Sequence, residues 1–183
     1  YSTTSVYGLF TVSSTGVINH YGGTITANAN SFKFSEGSNY NYLSDGGVTI
    51  PTATWEASSN INILGIVNST SIAGGLNQSF GNFNYNCKDQ DAIDFGLGVS
   101  IIAKGNFEVS NTGLGSLHFK NSTSALILNV NGVFMMKEGS FIVNSGTSGA
   151  TTLNFGALEI SDGVFDLSTG GGTVTLTIKD RKS

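Results

Sequence analysis

One cysteine, one proline, two histidines and one tryptophan are all that 183 residues hold of these types. Each scarcity removes a class of explanation. With Cys87 alone, neither an internal disulfide nor a zinc-thiolate cluster can form. A lone cysteine belongs by default in a buried apolar position, and a catalytic thiol would need a histidine beside it to make the thiolate. His20 and His118 lie in unrelated polar contexts, too few and too distant in sequence to argue a metal site. Exposed or strand-face positions are expected of both.

Charge is scarce as well. Only 11% of residues are Asp, Glu, Lys or Arg, against roughly 25% in an ordinary soluble domain. The formal net charge is −4, and three of the eight basic residues, Lys179, Arg181 and Lys182, fall in the last five positions. The body is therefore more acidic still, with no broad basic face for nucleic acid or anionic lipid. The basic tail is expected to be a domain exit rather than a binding motif. No apolar run reaches the length of a membrane span, so no membrane insertion is expected, and no signal peptide is evident at Tyr1. The chain is expected to be a mature or excised piece.

Glycine, by contrast, is plentiful at 25 residues, and hydrophobic residues make up 39%. That apolar fraction is too high for a disordered polar linker. Asn, Ser, Thr and Gly tracts alternate with short apolar runs, a texture that suits an all-β protein with many turns. The length suits a single domain spanning 1–183.

The apolar runs recur. "GNFNY" begins at Gly81, "GNFEV" at Gly105, "GVFMM" at Gly132 and "GALEI" at Gly156, at spacings of 24, 27 and 24. Side chains alternate faces along a strand, so Phe83 and Tyr85, Phe107 and Val109, Phe134 and Met136, and Leu158 and Ile160 share one face. A second series, "EGSFIVNSG" from Glu138 and "DGVFDLSTG" from Asp162, repeats at 24 and superimposes Gly139 on Gly163 and Phe141 on Phe165. Further runs precede the glycines: "VSIIAK" before Gly105, "ALILNVN" before Gly132 and "TTLNF" before Gly156, with "TVTLTI" at Thr173–Ile178 where the next is due.

Periods of this size with three short strands each predict a right-handed parallel β-helix, a β-solenoid of about seven coils and roughly 35 Å in height. Glycine at the corners is expected to supply φ > 0. The longer 27-residue spacing is expected to be absorbed at Ser110–Gly115. The first half is less regular, with alternating runs at Tyr7–Ser14, Gly22–Phe34 and Ser59–Ile66, and with Pro51 at an edge or corner. A β-sandwich also has many short strands, but it does not explain columns recurring at a fixed offset.

Several stretches resemble a family of secreted bacteroidete surface proteins built from β-solenoid repeats. They are "SDGGVTIPTATWEASSNINILGI" from Ser44, "GGLNQSFGNFNYNC" from Gly74, "KGNFEVSNTGLGSLHF" from Lys104, and the later "GSFIVNSG" and "GVFDLSTG" segments. The resemblance covers Ser44 to Ile178. It implies export to the cell surface or medium, often by the type nine secretion route, as part of a long repetitive chain. It carries no catalytic residues and no cofactor.

Candidate chemistry is thin. Asp89, Asp91 and Asp94 in "DQDAIDF" are close enough to be weak calcium candidates, though no EF-hand loop or calcium-binding nonapeptide is present and a solvated corner explains them as well. The 24-residue offset sets Glu138 beside Asp162, with Lys137 and Asp166 near, a grouping of the kind carbohydrate-cleaving solenoids use. Trp55, Tyr40, Tyr42 and Tyr21 could make a sugar-stacking face, although core positions are the commoner use of such aromatics. "TVTLT" alternates like an ice-binding threonine array, but Thr151 and Thr152 one coil earlier are adjacent. The sequons at Asn68, Asn77 and Asn121 are expected by chance in so Asn-rich a chain.

Two functional expectations follow. The first is a non-catalytic stalk, coat, filament or adhesin scaffold, secreted or at the cell surface, whose ends are covered by flanking solenoid domains or by copies of itself. The second is a carbohydrate-binding module or polysaccharide-active enzyme, marked by a groove of outward aromatics or stacked acids, with glycans as partners.

Overall fold

The computed structural model describes residues 3–5 and 7–179; the expected domain exit at Arg181 and Lys182 lies outside them. Among the described residues there are nineteen strands and no helix. The strands pair in parallel throughout. That rules out the β-sandwich, whose sheets are antiparallel. The chain is a β-solenoid.

Each coil turns past three faces. The first carries Phe10–Val12, Phe32–Phe34 and Thr54–Trp55, and resumes at Ser79–Phe80, Ile101–Ala103 and the leading halves of Leu126–Met136 and Ala150–Ile160 before Thr173–Ile178. The second stacks Val17–His20, Asn39–Tyr42, Asn60–Ile63, Asn82–Asn86 and Phe107–Asn111, then the trailing halves of the same two long strands. The third is regular only late, as Asp94–Gly96, Ser116–Lys120, Ser140–Asn144 and Val164–Asp166. Earlier, Thr3–Ser5 pairs with Thr24–Thr26, and a single bridge joins Thr49 to Gly74. Three strands per coil therefore holds in the later coils.

The stack makes about eight turns rather than about seven. Partners in the early coils are only 22, 21 and 22 residues apart: Val17 with Asn39, Asn39 with Asn60, and Asn60 with Asn82. Later, Phe83 pairs with Phe107, Phe107 with Phe134 and Phe134 with Leu158, at the expected 24, 27 and 24. The extra residues are not at Ser110–Gly115. Phe95 and Leu117 on the third face are 22 apart, whereas Ile102 and Asn129 on the first face are 27 apart, so the insertion sits at 121–125.

The inward residues of the second face form two columns. One runs Ile18, Tyr40, Ile61, Phe83, Phe107, Phe134 and Leu158; the other runs His20, Tyr42, Ile63, Tyr85, Val109, Met136 and Ile160. Their middle members are fully buried. Phe83 and Phe107 stack with ring centroids 4.7 Å apart, and Phe107 and Phe134 at 5.3 Å. On the first face Phe34 and Trp55 lie parallel at 4.1 Å. Stacked apolar rings exclude water along the whole axis, and this burial is the main stabilising term.

Leu158 and Ile160 keep the column register but are not buried like the rest. Leu158 is half-buried and Ile160 is 50% exposed. The last strand pairs only with Ala150–Phe155, leaving 156–160 uncovered.

The glycines divide into two kinds. Gly139 and Gly163 adopt φ of 91° and 83°, as expected of corners. Gly81, Gly105, Gly132 and Gly156 do not adopt positive φ. They are needed for room: a Cβ on Gly156 would collide with the Asn131 and Gly132 carbonyls, and one on Gly105 with the Asn82 amide.

Candidate functional site

The expected chemical groupings do not assemble. Asp89 and Asp91 are exposed at a corner, and Asp94 instead lies 3.3 Å from His118 and accepts a 2.6 Å hydrogen bond from Ser116. Among the described residues no three His, Cys, Asp or Glu side chains are grouped to hold a metal ion. Lys137 pairs with Glu108 at 2.8 Å, Glu138 accepts from Asn111, Asp162 from the Gly163 N–H and Asp166 from the Ser168 N–H. Each acid thus serves a local partner and no pair faces a shared groove.

The sugar-stacking face is also overturned. Trp55, Tyr40 and Tyr42 are core residues, and only Tyr21 is exposed. Thr173, Thr175 and Thr177 project from the last strand, but their partners one coil back are Ala150, Thr152 and Asn154, so no threonine rows continue. Cys87 is buried, its Sγ against Ile63 O at 3.4 Å, and burial pushes its thiol up to about 11.

Neither histidine is exposed. His20 caps the second inward column, its Nδ1 2.5 Å from the Tyr40 hydroxyl. His118 lies on the Ser116–Lys120 strand at 5% exposure, with Nε2 2.8 Å from Ser116 Oγ and Nδ1 2.7 Å from Ser145 Oγ. Desolvation lowers its pKa below the ordinary 6.5, opposed in part by Asp94. Sequence reasoning missed this Asp94–His118–Ser145 line because its members lie 24 and 27 residues apart on a face with no repeat signal of its own. It has the residues of an acyl-transfer triad but not the surroundings. The Ser145 and Gly146 N–H groups donate to Lys120 O and Asn144 Oδ1, so neither is left to bind an oxyanion.

Asp45 is a second missed feature. Its carboxylate accepts the backbone N–H groups of Val67, Asn68 and Ser69 at 2.9–3.1 Å, tying two successive coils together. Burial acts to raise its pKa, but these bonds outweigh it and hold the carboxyl below its usual value.

The most extended polar feature is on the outside of the second face. In "NYNY", "NINI" and "NFNYN" the residues between the inward apolar ones are asparagines, and the register superimposes them. Asn41 donates to Asn19 at 2.8 Å, Asn62 to Asn41 at 2.9 Å and Asn84 to Asn62 at 3.5 Å. In a parallel row Asn82 Nδ2 donates to Asn60 Oδ1, the Asn106 N–H to Asn82 Oδ1, and the Val133 N–H to Asn106 Oδ1, each at 2.9 Å. The first row ends at Ser110, whose hydroxyl lies 2.9 Å from Asn84 Oδ1 and 2.5 Å from Glu108 Oε1. Between the rows runs a groove of about 230 Å³, flanked beyond Asn106 by Glu108 and Met135. A groove of about 510 Å³ crosses the corner of the first face by Ile102, Asn129, Asn154 and Lys179, with one amide step, Asn154 to Asn129 at 2.7 Å.

Among the described residues no helix is long and apolar enough to cross a membrane. Comparison of the chain with protein-family models, with curated proteins and with solved structures finds no match.

Proposed function

We propose that the chain is a non-catalytic, load-resisting segment of a secreted or cell-surface protein, a stalk, coat, filament or adhesin scaffold. The observation that carries this reading is the unbroken column from Tyr40 to Phe134, buried in every coil and bonded coil to coil by parallel strands. Such a stack resists extension along its whole length, since each coil is held by both neighbours. The dispersal of the acids among local partners supports a passive role. The resemblance to secreted bacteroidete surface proteins points the same way for location.

The ends favour continued stacking. At one, Tyr7, Leu9, Phe10 and Val17 are exposed around an apolar recess of about 170 Å³ bordered by Ile18, Ile25 and Phe32. At the other, Ile160, Val164, Leu167 and Ile178 are exposed. Exposed strand edges with apolar side chains invite another chain, and flanking solenoid domains or copies of this chain are the partners proposed.

The test is mechanical and topographic. Held between two well-characterised handle domains and pulled, the segment is expected to outlast helical handles and to lengthen in coil-sized steps. Antibodies raised against it should label intact, unpermeabilised cells of the source organism. Collapse at forces below those that open the handles, or labelling only after permeabilisation, would overturn the reading.

A further inference from the structure

We propose that the amide-lined groove on the second face binds an extended, uncharged polysaccharide chain lying along the solenoid axis. This goes beyond the scaffold reading, since a stalk needs no ligand on its flank.

The first argument is chemical. The groove wall from Asn60 and Asn62 through Asn82 and Asn84 to Asn106 is made of neutral amides. Each spends only part of its capacity on the ladder, because an asparagine has two N–H donors and two acceptor lone pairs. What remains outward is an alternation of neutral donors and acceptors, the complement of hydroxyl groups. Phosphates or charged peptides find no opposite charge along these rows.

The second argument is geometric. Successive coils are roughly 4.8 Å apart, comparable with the advance of one pyranose ring in an extended chain. A polymer laid across the coils therefore meets an equivalent pair of amides at each sugar. The ladder bonds hold the amides in place before a ligand arrives, which lowers the ordering cost of binding.

The third argument is that the groove does not end blankly. Glu108 is held by Lys137 at 2.8 Å and by the Ser110 hydroxyl, so its carboxylate is a fixed acceptor for a pair of sugar hydroxyls. Met135, in register with Glu108, offers a half-buried thioether against which the C–H face of a ring can lie. No exposed aromatic platform is required. The larger groove at the first face lacks the double row and carries Lys179, so it is not the proposed site.

The test is affinity gel electrophoresis of the whole chain in gels containing soluble neutral β-glucan, xylan, galactomannan or dextran, with alginate as a charged comparison. At least one neutral polymer should retard the protein, undiminished by high salt. Met135→Arg, which fills the groove without touching a ladder bond, should weaken retardation by about tenfold or more. Thr175→Arg, on the first face, should leave it unchanged. Asn84→Ala serves as a second variant, with the unfolding midpoint of each variant measured alongside. The proposal is overturned if no neutral polymer retards the protein, if folded Met135→Arg and Asn84→Ala bind as wild type, or if alginate alone retards it and salt abolishes the effect. None of these outcomes bears on the scaffold reading, which is tested by force and location.

Discussion

Replacing Phe134 with alanine tests the column at its densest point. Phe134 is fully buried and meets four rings: Phe107 at 5.3 Å, Phe155 at 4.8 Å, Phe141 at 5.0 Å and Phe165 at 5.3 Å. Truncating a core phenylalanine costs about 3–5 kcal/mol, more where the walls cannot close on the cavity. Here the walls are hydrogen-bonded strands on three sides, so the upper half of that range, about 4–5 kcal/mol, is expected. Phe134→Leu keeps most of the volume and should cost about 1.5 kcal/mol. The chain's one tryptophan, Trp55, reports on the early coils, while far-UV circular dichroism reports on all of them. In a stack held by nearest-neighbour contacts, damage spreads only as far as the coupling carries it. Urea unfolding of Phe134→Ala should therefore show the dichroism transition moving to lower urea than the Trp55 fluorescence transition, with hydrogen exchange accelerated at Phe107–Asn111, Leu126–Met136 and Ala150–Ile160. A loss below about 1 kcal/mol, or faster exchange at Asn39–Tyr42 instead, would refute the stacked-column argument.

Other expectations follow from single features. Gly156→Ala should destabilise by about 1–3 kcal/mol because its Cβ meets two carbonyls, whereas Gly22→Ala, with open space around it, should be near neutral; equal effects in thermal melts would count against the packing account. Asp45 has its pKa lowered in the fold, so its contribution is present above the unfolded carboxylate pKa and lost as pH falls through the folded one. Asp45→Asn should flatten that part of the acid-unfolding curve, and an unchanged curve would refute it. His118 is also depressed in the fold, so its protonation opposes folding, and stability should decline as pH falls below 6.5. An NMR titration placing the His118 midpoint at or above 6.5 would contradict the desolvation reasoning. Val164→Lys and Ile178→Lys should suppress concentration-dependent light scattering if the open end recruits other copies; scattering that is flat in the wild type would refute end-to-end association.

The second half of the fold was legible because its repeat has two independent marks. A glycine that must yield space and an apolar pair two residues apart recur together at Gly81, Gly105, Gly132 and Gly156. The spacing was correct even though the reason given for those glycines was not. In the early coils the glycine mark is missing: the corner before Asn39–Tyr42 carries Ser38, and the one before Asn60–Ile63 carries Ser59. Both serines are buried and bonded to a carbonyl three residues back. Serine closes that turn with its hydroxyl where later coils omit a side chain, and the period shortens to 21 and 22. A search tuned to glycine at 24 passes over such coils, which is why one was lost from the count.

The groove escaped notice for a related reason. Asparagine is read as a turn residue because its side chain competes locally for backbone hydrogen bonds. Inside a strand that competition is settled by the ladder, and the amide turns to the next coil's amide. The alternation in "NYNY" and "NINI" then carries two messages at once: the apolar letters say which face is core, and the polar letters say what the other face presents. Only register separates a row of amides from a scatter of polar residues, and register is what corner insertions change. Here the insertion at 121–125 lies away from the second face, so the rows from Asn19 to Asn106 pass through coils of 21, 22 and 24 residues without breaking step. A surface kept in register while corner lengths vary is the property a chain-like ligand requires, and it links the stack's regularity to the proposed site.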